Sequence, residues 1–304
     1  MIKSLIKKAI LAGPHRAIQR TKAPCLLIVR YHSIQDDQQR FEHTTPGIMH
    51  STKSFRAQME YLSRKLTPIS LDDVPQMLSG EKHLPRRSFV VTFDDGYRDN
   101  LEVAAGILEE YGIRGVFYVT TAAIDGEPLW FCRLRRTMRH HNYNEFLEHS
   151  QAMARSNYQE RERRLESIGA SYQPVGNLDL MMSWEQVRQL QRRGHIVGSH
   201  TLTHPNVAHI DAAEAEKEIS NSRIRLEKET GMPIKHFSYP HPILEPCHND
   251  MTGGMCRMAG YETAAITTPG TVNAGDSPLT LQRVAVPEDF DEFRWTVERT
   301  LTGF

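Results

Sequence analysis

The chain has 304 residues, and its 37 Lys and Arg side chains balance its 37 Asp and Glu side chains at zero formal net charge. This balance gives no reason to expect nucleic acid as a partner, and 39% hydrophobic residues argue against a disordered chain. No run of 18 apolar residues occurs, so we expect no membrane-spanning segment. The cysteine spacing fits no zinc knuckle and predicts thiols without disulfide bonds in a reducing compartment: Cys25, Cys132, Cys247 and Cys256.

Residues 1–24 form a basic segment with six Lys or Arg side chains and no acidic one. Apolar residues recur on one helical face from Ile2 to Ile10, but Lys7 and Lys8 interrupt the apolar core that a secretory signal needs. Two interpretations stay open. The segment is a helix that packs on the domain or frays, or a basic amphipathic helix that rests on an anionic membrane surface through residues 1–12. We expect a cytoplasmic protein without a cleavable signal peptide, peripheral at the inner membrane in the second case.

From residue 25 to 304, strand and helix patterns alternate with short connections, which is typical of a parallel sheet covered by helices. The strand patterns are 25–31, 67–71, 88–93, 114–121, 196–199, 235–239, 262–267 and 281–286. The helical patterns are 54–65, 101–111, 183–194, 211–231 and 249–259. Two of these helices begin with predicted capping boxes, Ser183 with Gln186 and Asp211 with Glu214. About seven repeats predict one α/β barrel domain rather than an open sheet.

Residues of about 125–180 interrupt the alternation. They are rich in Arg, Glu, His and Asn, and they predict solvated helices inserted at the rim of the barrel rather than a second domain. Their arginine cluster is typical of a solvated helical face, and binding of an acidic or phosphorylated group is the alternative: Arg133, Arg135, Arg136 and Arg139.

The strand pattern at 88–93 ends in two adjacent carboxylates, Asp94 and Asp95, followed by Gly96. Adjacent residues of a strand point to opposite sides, so one carboxylate could bind a metal ion while the other transfers protons. The alternative is a helix N-cap role for Asp95 or Asp99.

Two histidines, His200 and His204, follow a later strand pattern. Thr201 stands where a zinc-protease helix carries Glu, so a loop is predicted rather than such a helix. The carboxyl ends of parallel barrel strands meet on one face, which gathers the histidine loop, the carboxylate pair, His32 and the turn after Tyr239. One carboxylate and two histidines would leave open positions on a zinc-like ion, as catalytic sites do.

Two motifs, in this order and spacing, resemble the first two motifs of the polysaccharide deacetylases, the nodulation-protein-B homology domain of carbohydrate esterase family four. They read Thr92-Phe93-Asp94-Asp95-Gly96 and His200-Thr201-Leu202-Thr203-His204. Residues 108–112 and 183–186 match as well, and the likeness covers roughly residues 25–290. The resemblance implies a distorted (β/α)7-type barrel and removal of acetyl groups from N-acetylated sugars.

The resemblance also implies roles, residue by residue. Asp95, His200 and His204 would bind a divalent metal, and Asp94 would be the general base. Zinc is the first expectation, and Co2+, Ni2+, Fe2+ or Mn2+ suit the same ligands. The metal would polarise the acetamide carbonyl and lower the pKa of a water molecule.

The chain departs from the family in two places. The third motif, usually Arg-x-Pro-Tyr, reads Ser238-Tyr239-Pro240-His241, so the Arg that orients the base is absent, and we name Arg283 as its replacement. Tyr239 and His241 become the substrate and oxyanion candidates, because a backbone N–H survives a change of side chain. No Leu-x-His motif lies near the C-terminus. The chain resembles exopolysaccharide-modifying members in which that His is permuted to the first strand, which makes His32 the candidate general acid.

These expectations describe a metal-dependent N-deacetylase whose substrate is an N-acetylated oligo- or polysaccharide. We expect this substrate to be a surface polysaccharide or its precursor. Hydrolysis of another C–N or ester bond is a second enzymatic interpretation. A carbohydrate-binding pseudoenzyme on the same barrel is a third. The altered third motif favours the pseudoenzyme, and the intact Asp and His residues oppose it.

Overall fold

The computed structural model describes residues 23–36, 48–138, 140–170, 181–240 and 244–303. The strands, in chain order, are β1 (Cys25–Tyr31), β2 (Ser33–Ile34), β3 (Met49–His50), β4 (Thr67–Pro68), β5 (Arg87–Phe93), β6 (Val116–Val119), β7 (Ile196–Ser199), β8 (His236–Ser238), β9 (Thr263–Ala265) and β10 (Val284–Ala285). The α-helices are α1 (Thr52–Lys65), α2 (Val74–Ser79), α3 (Ala105–Glu110), α4 (Thr121–Ile124), α5 (Trp130–Thr137), α6 (Tyr143–Ala154), α7 (Tyr158–Ser167), α8 (Trp184–Arg192), α9 (Ala212–Thr230), α10 (Asp250–Met258) and α11 (Phe290–Thr302).

A curled parallel sheet is the centre of the fold. Its strands follow the order β10-β1-β5-β6-β7-β8-β9, and β4 pairs with the beginning of β5. Ala265 of β9 forms a parallel bridge with Leu281, three residues before β10, so the far edge of the sheet curls back towards β1. The predicted distorted (β/α)7-type barrel is therefore confirmed.

The strands are buried on both faces, as expected of a parallel sheet covered by helices. On β1, Leu26 and Ile28 belong to the core inside the barrel, whereas Leu27 and Val29 belong to the larger core beneath the helices. This alternation places every second residue of a strand in the barrel interior. Polar residues at the carboxyl ends of the inner rows are therefore brought together.

Several helices begin or end at conventional caps. The capping box of Ser183 and Gln186 forms at the start of α8, as predicted. At the start of α9 only one half of the predicted capping box forms, since Asp211 accepts a hydrogen bond from the Glu214 backbone without a reciprocal bond to the Glu214 side chain. The left-handed Gly231 ends the helix. The inward face predicted for α9 is buried: Ala215, Ile219, Ser222 and Leu226.

The helices α5, α6 and α7 occupy the region predicted as an insertion. They enclose a hydrophobic cluster of their own, in which Trp130, Phe146 and Leu165 are buried. The expectation of a solvated arginine face is wrong at Arg133, which is buried and pairs with Glu162 at 2.7 Å. The high content of charged residues in this region does not reveal that Arg133 faces Glu162 of α7.

Predictions for the N-terminal segment, including membrane contact through residues 1–12, fall on residues 1–22 and lie outside the described residues. Among the described residues, no helix is both long enough and apolar enough to cross a membrane. All four cysteines are described and buried, and no disulfide bond joins them, as expected.

Candidate active site

The carboxylate pair lies where β5 ends in a sharp turn. Asp95 adopts a left-handed backbone with φ of 78°, and Gly96 follows with φ of 94°. A Cβ at Gly96 would lie 3.3 Å from the Val119 and Ile124 side chains, so the turn is closely packed against β6 and α4. Left-handed backbone is unfavourable for a residue with a side chain. At this turn Asp94 and Asp95 have different partners, Arg283 for Asp94 and His204 for Asp95.

The histidine loop, residues 200–204, follows β7 and is strained in the same way. Thr201 and His204 have φ values of 68° and 62°. Together with Asp95, they are the non-glycine residues with positive φ in the described part of the chain. The Thr201 hydroxyl accepts a hydrogen bond from the His204 N–H at 3.0 Å, which closes the loop. The predicted loop, rather than a protease helix, is confirmed.

Asp95, His200 and His204 form a buried cluster whose ligand atoms lie within 4.8 Å of one another. Asp95 Oδ1 lies 3.3 Å from His204 Nε2 and 3.6 Å from His200 Nε2. Asp95 Oδ1 and His204 Nδ1 are buried without a hydrogen-bond partner among the described residues. Buried polar atoms normally have partners, so this cluster has capacity for a ligand.

The tautomer of His200 indicates which ligand fits. His200 Nδ1 lies 2.8 Å from the Ser238 carbonyl oxygen and must donate its hydrogen there, which leaves a lone pair on Nε2. Burial lowers the pKa of His200 to about 4, so the ring is neutral near pH 7. Nε2 and Asp95 Oδ1 are then two acceptors that face each other. A cation between them would satisfy both, so the residues fit a divalent metal.

A second set of side chains holds the histidine loop from outside. The buried Glu218 carboxylate on α9 accepts hydrogen bonds from the Leu202 and Thr203 backbone N–H groups at 2.8 and 2.9 Å. It also accepts one from the Thr203 hydroxyl. Burial raises the pKa of Glu218, although the hydrogen bonds from Thr203 oppose this effect. These three bonds fix the segment between the two histidines.

The inserted helices complete this support. Trp130 on α5 donates its indole N–H to the His204 carbonyl oxygen at 2.8 Å, and the Phe131 ring packs against the His204 ring with 4.9 Å between centroids and a tilt of 55°. Arg161 on α7 donates to the Thr203 hydroxyl at 2.6 Å. The insertion is therefore part of the wall of the site.

Asp94 is held by Arg283 in a buried, bidentate ion pair. The two guanidinium nitrogens lie 2.7 and 2.8 Å from the two carboxylate oxygens. Arg283 also donates to the Ser238 hydroxyl at 2.7 Å and to the Ile266 carbonyl oxygen at 3.2 Å. Burial alone would raise the pKa of Asp94, but the positive charge of Arg283, with His200 nearby, holds it well below its ordinary value. Arg283 therefore pairs with Asp94, as expected of the replacement for the Arg that the third motif lacks.

His32 lies beside the carboxylate pair because β1 and β5 are paired in register. The Asp94 N–H donates to the Tyr31 carbonyl oxygen at 3.1 Å, and the Asn100 side chain donates to the His32 carbonyl oxygen at 2.6 Å. Burial lowers the pKa of His32 to about 4, while Asp95 opposes the shift. His32 is therefore neutral near pH 7.

Tyr239 and His241 are the residues predicted from the sequence to contact the substrate and its oxyanion. Tyr239 packs in the core beneath the helices, 5.1 Å from the Phe237 ring, and its N–H donates to the Ala265 carbonyl oxygen. Its side chain and its amide are both part of the barrel wall, so we remove Tyr239 from the candidate substrate contacts. His241 lies outside the described residues.

Comparison with known families decides the assignment. The family model described as polysaccharide deacetylase matches residues 81–262, which is more than half of the chain and contains both motifs. The chain belongs to the polysaccharide deacetylase family. It is thus a polysaccharide deacetylase, a hydrolase that acts on amide bonds.

Relatives of this polysaccharide deacetylase agree over most of its length. The Bacillus subtilis protein YxkH, named as a member of the same family, is 21% identical over 272 residues, which is 88% of this chain and 74% of that protein. IcaB from Ammonifex degensii superimposes with a TM-score of 0.64 and 17% identity, over 91% of this chain and 98% of that one. The Streptococcus pyogenes deacetylase PplD, solved with acetate, gives a TM-score of 0.62 and 17% identity, over 88% and 95% of the two chains. These structures show that the fold is shared.

Proposed function

We propose that this polysaccharide deacetylase is metal-dependent and acts on N-acetylated sugars of a surface polysaccharide or its precursor. One observation carries the proposal. Two buried acceptor atoms, Asp95 Oδ1 and His200 Nε2, face each other at 3.6 Å, and the Ser238 carbonyl oxygen fixes the tautomer that makes them both acceptors. Such an arrangement is unfavourable without a cation between the two atoms.

Asp95, His200 and His204 would hold the ion, most simply Zn2+, although Co2+, Ni2+, Fe2+ and Mn2+ accept the same donor atoms. A divalent cation bound there supplies Lewis acidity to the acetamide carbonyl and to the attacking water. Three protein ligands would leave coordination positions open, as catalytic metal sites do. Glu218 keeps the histidine side chains in place through the loop that it binds.

Asp94 is the general base. Arg283 takes one lone pair from each carboxylate oxygen and prevents rotation, but each oxygen retains another lone pair for the proton of water. Because its pKa is low, Asp94 is ionised throughout the physiological range. The proton moves as the water oxygen bonds to the acyl carbon.

His32 is the general acid for the departing amine. Since His32 is neutral at rest, it must first receive the proton that Asp94 removes from water. It then donates this proton to the sugar nitrogen as the C–N bond breaks, which leaves acetate and a free amine. Negative charge that develops on the acetyl oxygen favours the protonated form of His32 at that stage.

The test is acetate release from N-acetylglucosamine oligomers, combined with elemental analysis of the purified protein. We expect one equivalent of divalent metal, loss of turnover in a chelator, and recovery on adding Zn2+. The His204→Gln variant should lose metal and turnover, whereas the exposed His83→Gln variant should lose neither.

Acetate release that persists in fully demetallated protein would contradict the metal proposal. Bound metal without acetate release from any N-acetylated oligomer would instead favour a carbohydrate-binding protein.

A further inference from the structure

Arg30 places a cation inside the barrel that the proposed chemistry does not use. On β1, Leu26 and Ile28 lie in the core inside the barrel, and Arg30 continues this inner row. It is level with Thr92 of β5 and two residues before His32. Arg30 is the last residue but one of β1 and therefore lies near the carboxyl end of the barrel, where the site is.

The Arg30 guanidinium differs from that of Arg283 in its surroundings. Arg283 donates one hydrogen bond to each oxygen of Asp94, whereas Arg30 Nε is buried without a hydrogen-bond partner among the described residues. Arg30 as a whole residue is partly exposed. Burial lowers the pKa of Arg30, with Arg283 adding to this effect and Asp94 and Asp95 opposing it. The charges of both carboxylates thus act on Arg30, and no hydrogen bond or ion pair joins it to either of them.

The charges of the site indicate what Arg30 can bind. Two carboxylates, Asp94 and Asp95, balance two guanidinium groups, Arg30 and Arg283. A divalent cation at the cluster would leave two positive charges without compensation. The acetamide of the substrate is neutral, but its oxygen becomes negative as water adds, and the acetate product carries one negative charge. The interior therefore favours the anionic species of the reaction over the substrate.

We propose that Arg30 donates hydrogen bonds to the acetyl oxygen as it becomes negative, and to the carboxylate of acetate after the C–N bond breaks. This inference rests on the proposed deacetylation. Water supplies the new oxygen, the amine leaves with its proton, and no electron donor or acceptor is needed. A planar guanidinium with parallel N–H groups suits a carboxylate better than an ammonium group does.

Acetate binding to the metal-loaded, full-length protein tests this role by calorimetry, with acetamide as the neutral analogue of the same shape. The variants are Arg30→Met, which removes the charge, and Arg30→Lys, which keeps the charge but lacks the planar fork. The exposed Arg64→Met variant on α1 is the control. We expect Arg30→Met to bind acetate at least about 10-fold more weakly. Acetamide binding should stay within about twofold, and kcat should fall while KM changes little.

A folded Arg30→Met variant with full metal content and unchanged acetate affinity would overturn the inference. If Arg30→Met does not fold, Arg30→Lys decides, since unchanged acetate affinity there also removes the guanidinium from the site. A carboxylate that binds Arg30 could also belong to an acidic sugar of the substrate, and glucuronate is the probe for this alternative. Loss of glucuronate binding with retained acetate binding would overturn the assignment to the acetyl group. Failure of the wild-type protein to bind metal or release acetate would refute the proposed function itself.

Discussion

Replacing Arg283 by Gln removes the one cation that is bonded to Asp94 and leaves that carboxylate buried. The lost pair comprises two hydrogen bonds of 2.7 and 2.8 Å between fully buried groups. Breaking a buried ion pair from one side typically costs about 3–5 kcal/mol, so we expect the free energy of unfolding to fall by about that much. The nearby Ser238 hydroxyl, 3.5 Å from Asp94 Oδ1, cannot replace a guanidinium.

The same change should alter the pH dependence of activity. Without Arg283, burial dominates and raises the pKa of Asp94, so the base is protonated at higher pH than in the wild type. The acid limb of kcat/KM should therefore move up by roughly 1 to 3 pH units. Denaturant unfolding and a pH–rate series measure the two effects, with Arg283→Lys as the charge-preserving control. An unchanged acid limb and a loss of stability below about 0.5 kcal/mol would refute the role of Arg283.

Three further changes test other parts of the site. Glu218→Gln should weaken Zn2+ binding by about 10- to 100-fold, because the histidine loop loses hydrogen bonds that hold it in place. The control Glu216→Gln, on the exposed face of α9, should leave Zn2+ binding unchanged. Equal Zn2+ affinities of the two variants in a competition titration would contradict the role of Glu218. His32→Gln should lower kcat by roughly 10²- to 10⁴-fold at constant metal content, and a normal kcat would exclude His32 as the acid. The pKa of His200 is about 4 in the folded, metal-free protein and about 6.5 when unfolded, so the unfolded state binds more protons between these values. The contribution of His200 to stability is complete above pH 6.5 and should fall by roughly 3 kcal/mol as the pH drops to 4. The contribution of His32, whose pKa is also about 4, should fall by a similar amount, and urea titrations of the metal-free wild type and the His32→Gln variant separate the two.

The sequence predicted the elements whose signals are local. The apolar run before Asp94, the capping box at Ser183 and the glycine that ends α9 at Gly231 depend on neighbouring residues, and all three appear in the structure. The meeting of Asp95 with the histidine loop followed from the rule that parallel strands end on one face. These features need only the chain order and the alternation of side chains.

The supports of the site could not be predicted because they depend on distant packing. Glu218 reads as one more charged residue on an amphipathic helix, yet it is buried and binds the loop between the two histidines. Trp130 and Arg161 lie in the region expected to be solvated, but both contact that loop. Arg283 could be proposed only because the third motif lacks its Arg, and the small Ser238 leaves room for it. No local pattern distinguishes these residues from surface charges or core aromatics.

The central claim is that the two adjacent carboxylates have separate roles, with Asp95 as a metal ligand and Asp94 as the base. Metal stoichiometry and acetate release of Asp94→Asn and Asp95→Asn, measured side by side, test it most directly. We predict that Asp94→Asn keeps its metal and loses turnover, whereas Asp95→Asn loses both. Loss of metal from Asp94→Asn with retention in Asp95→Asn would contradict the assignment and reverse the two roles.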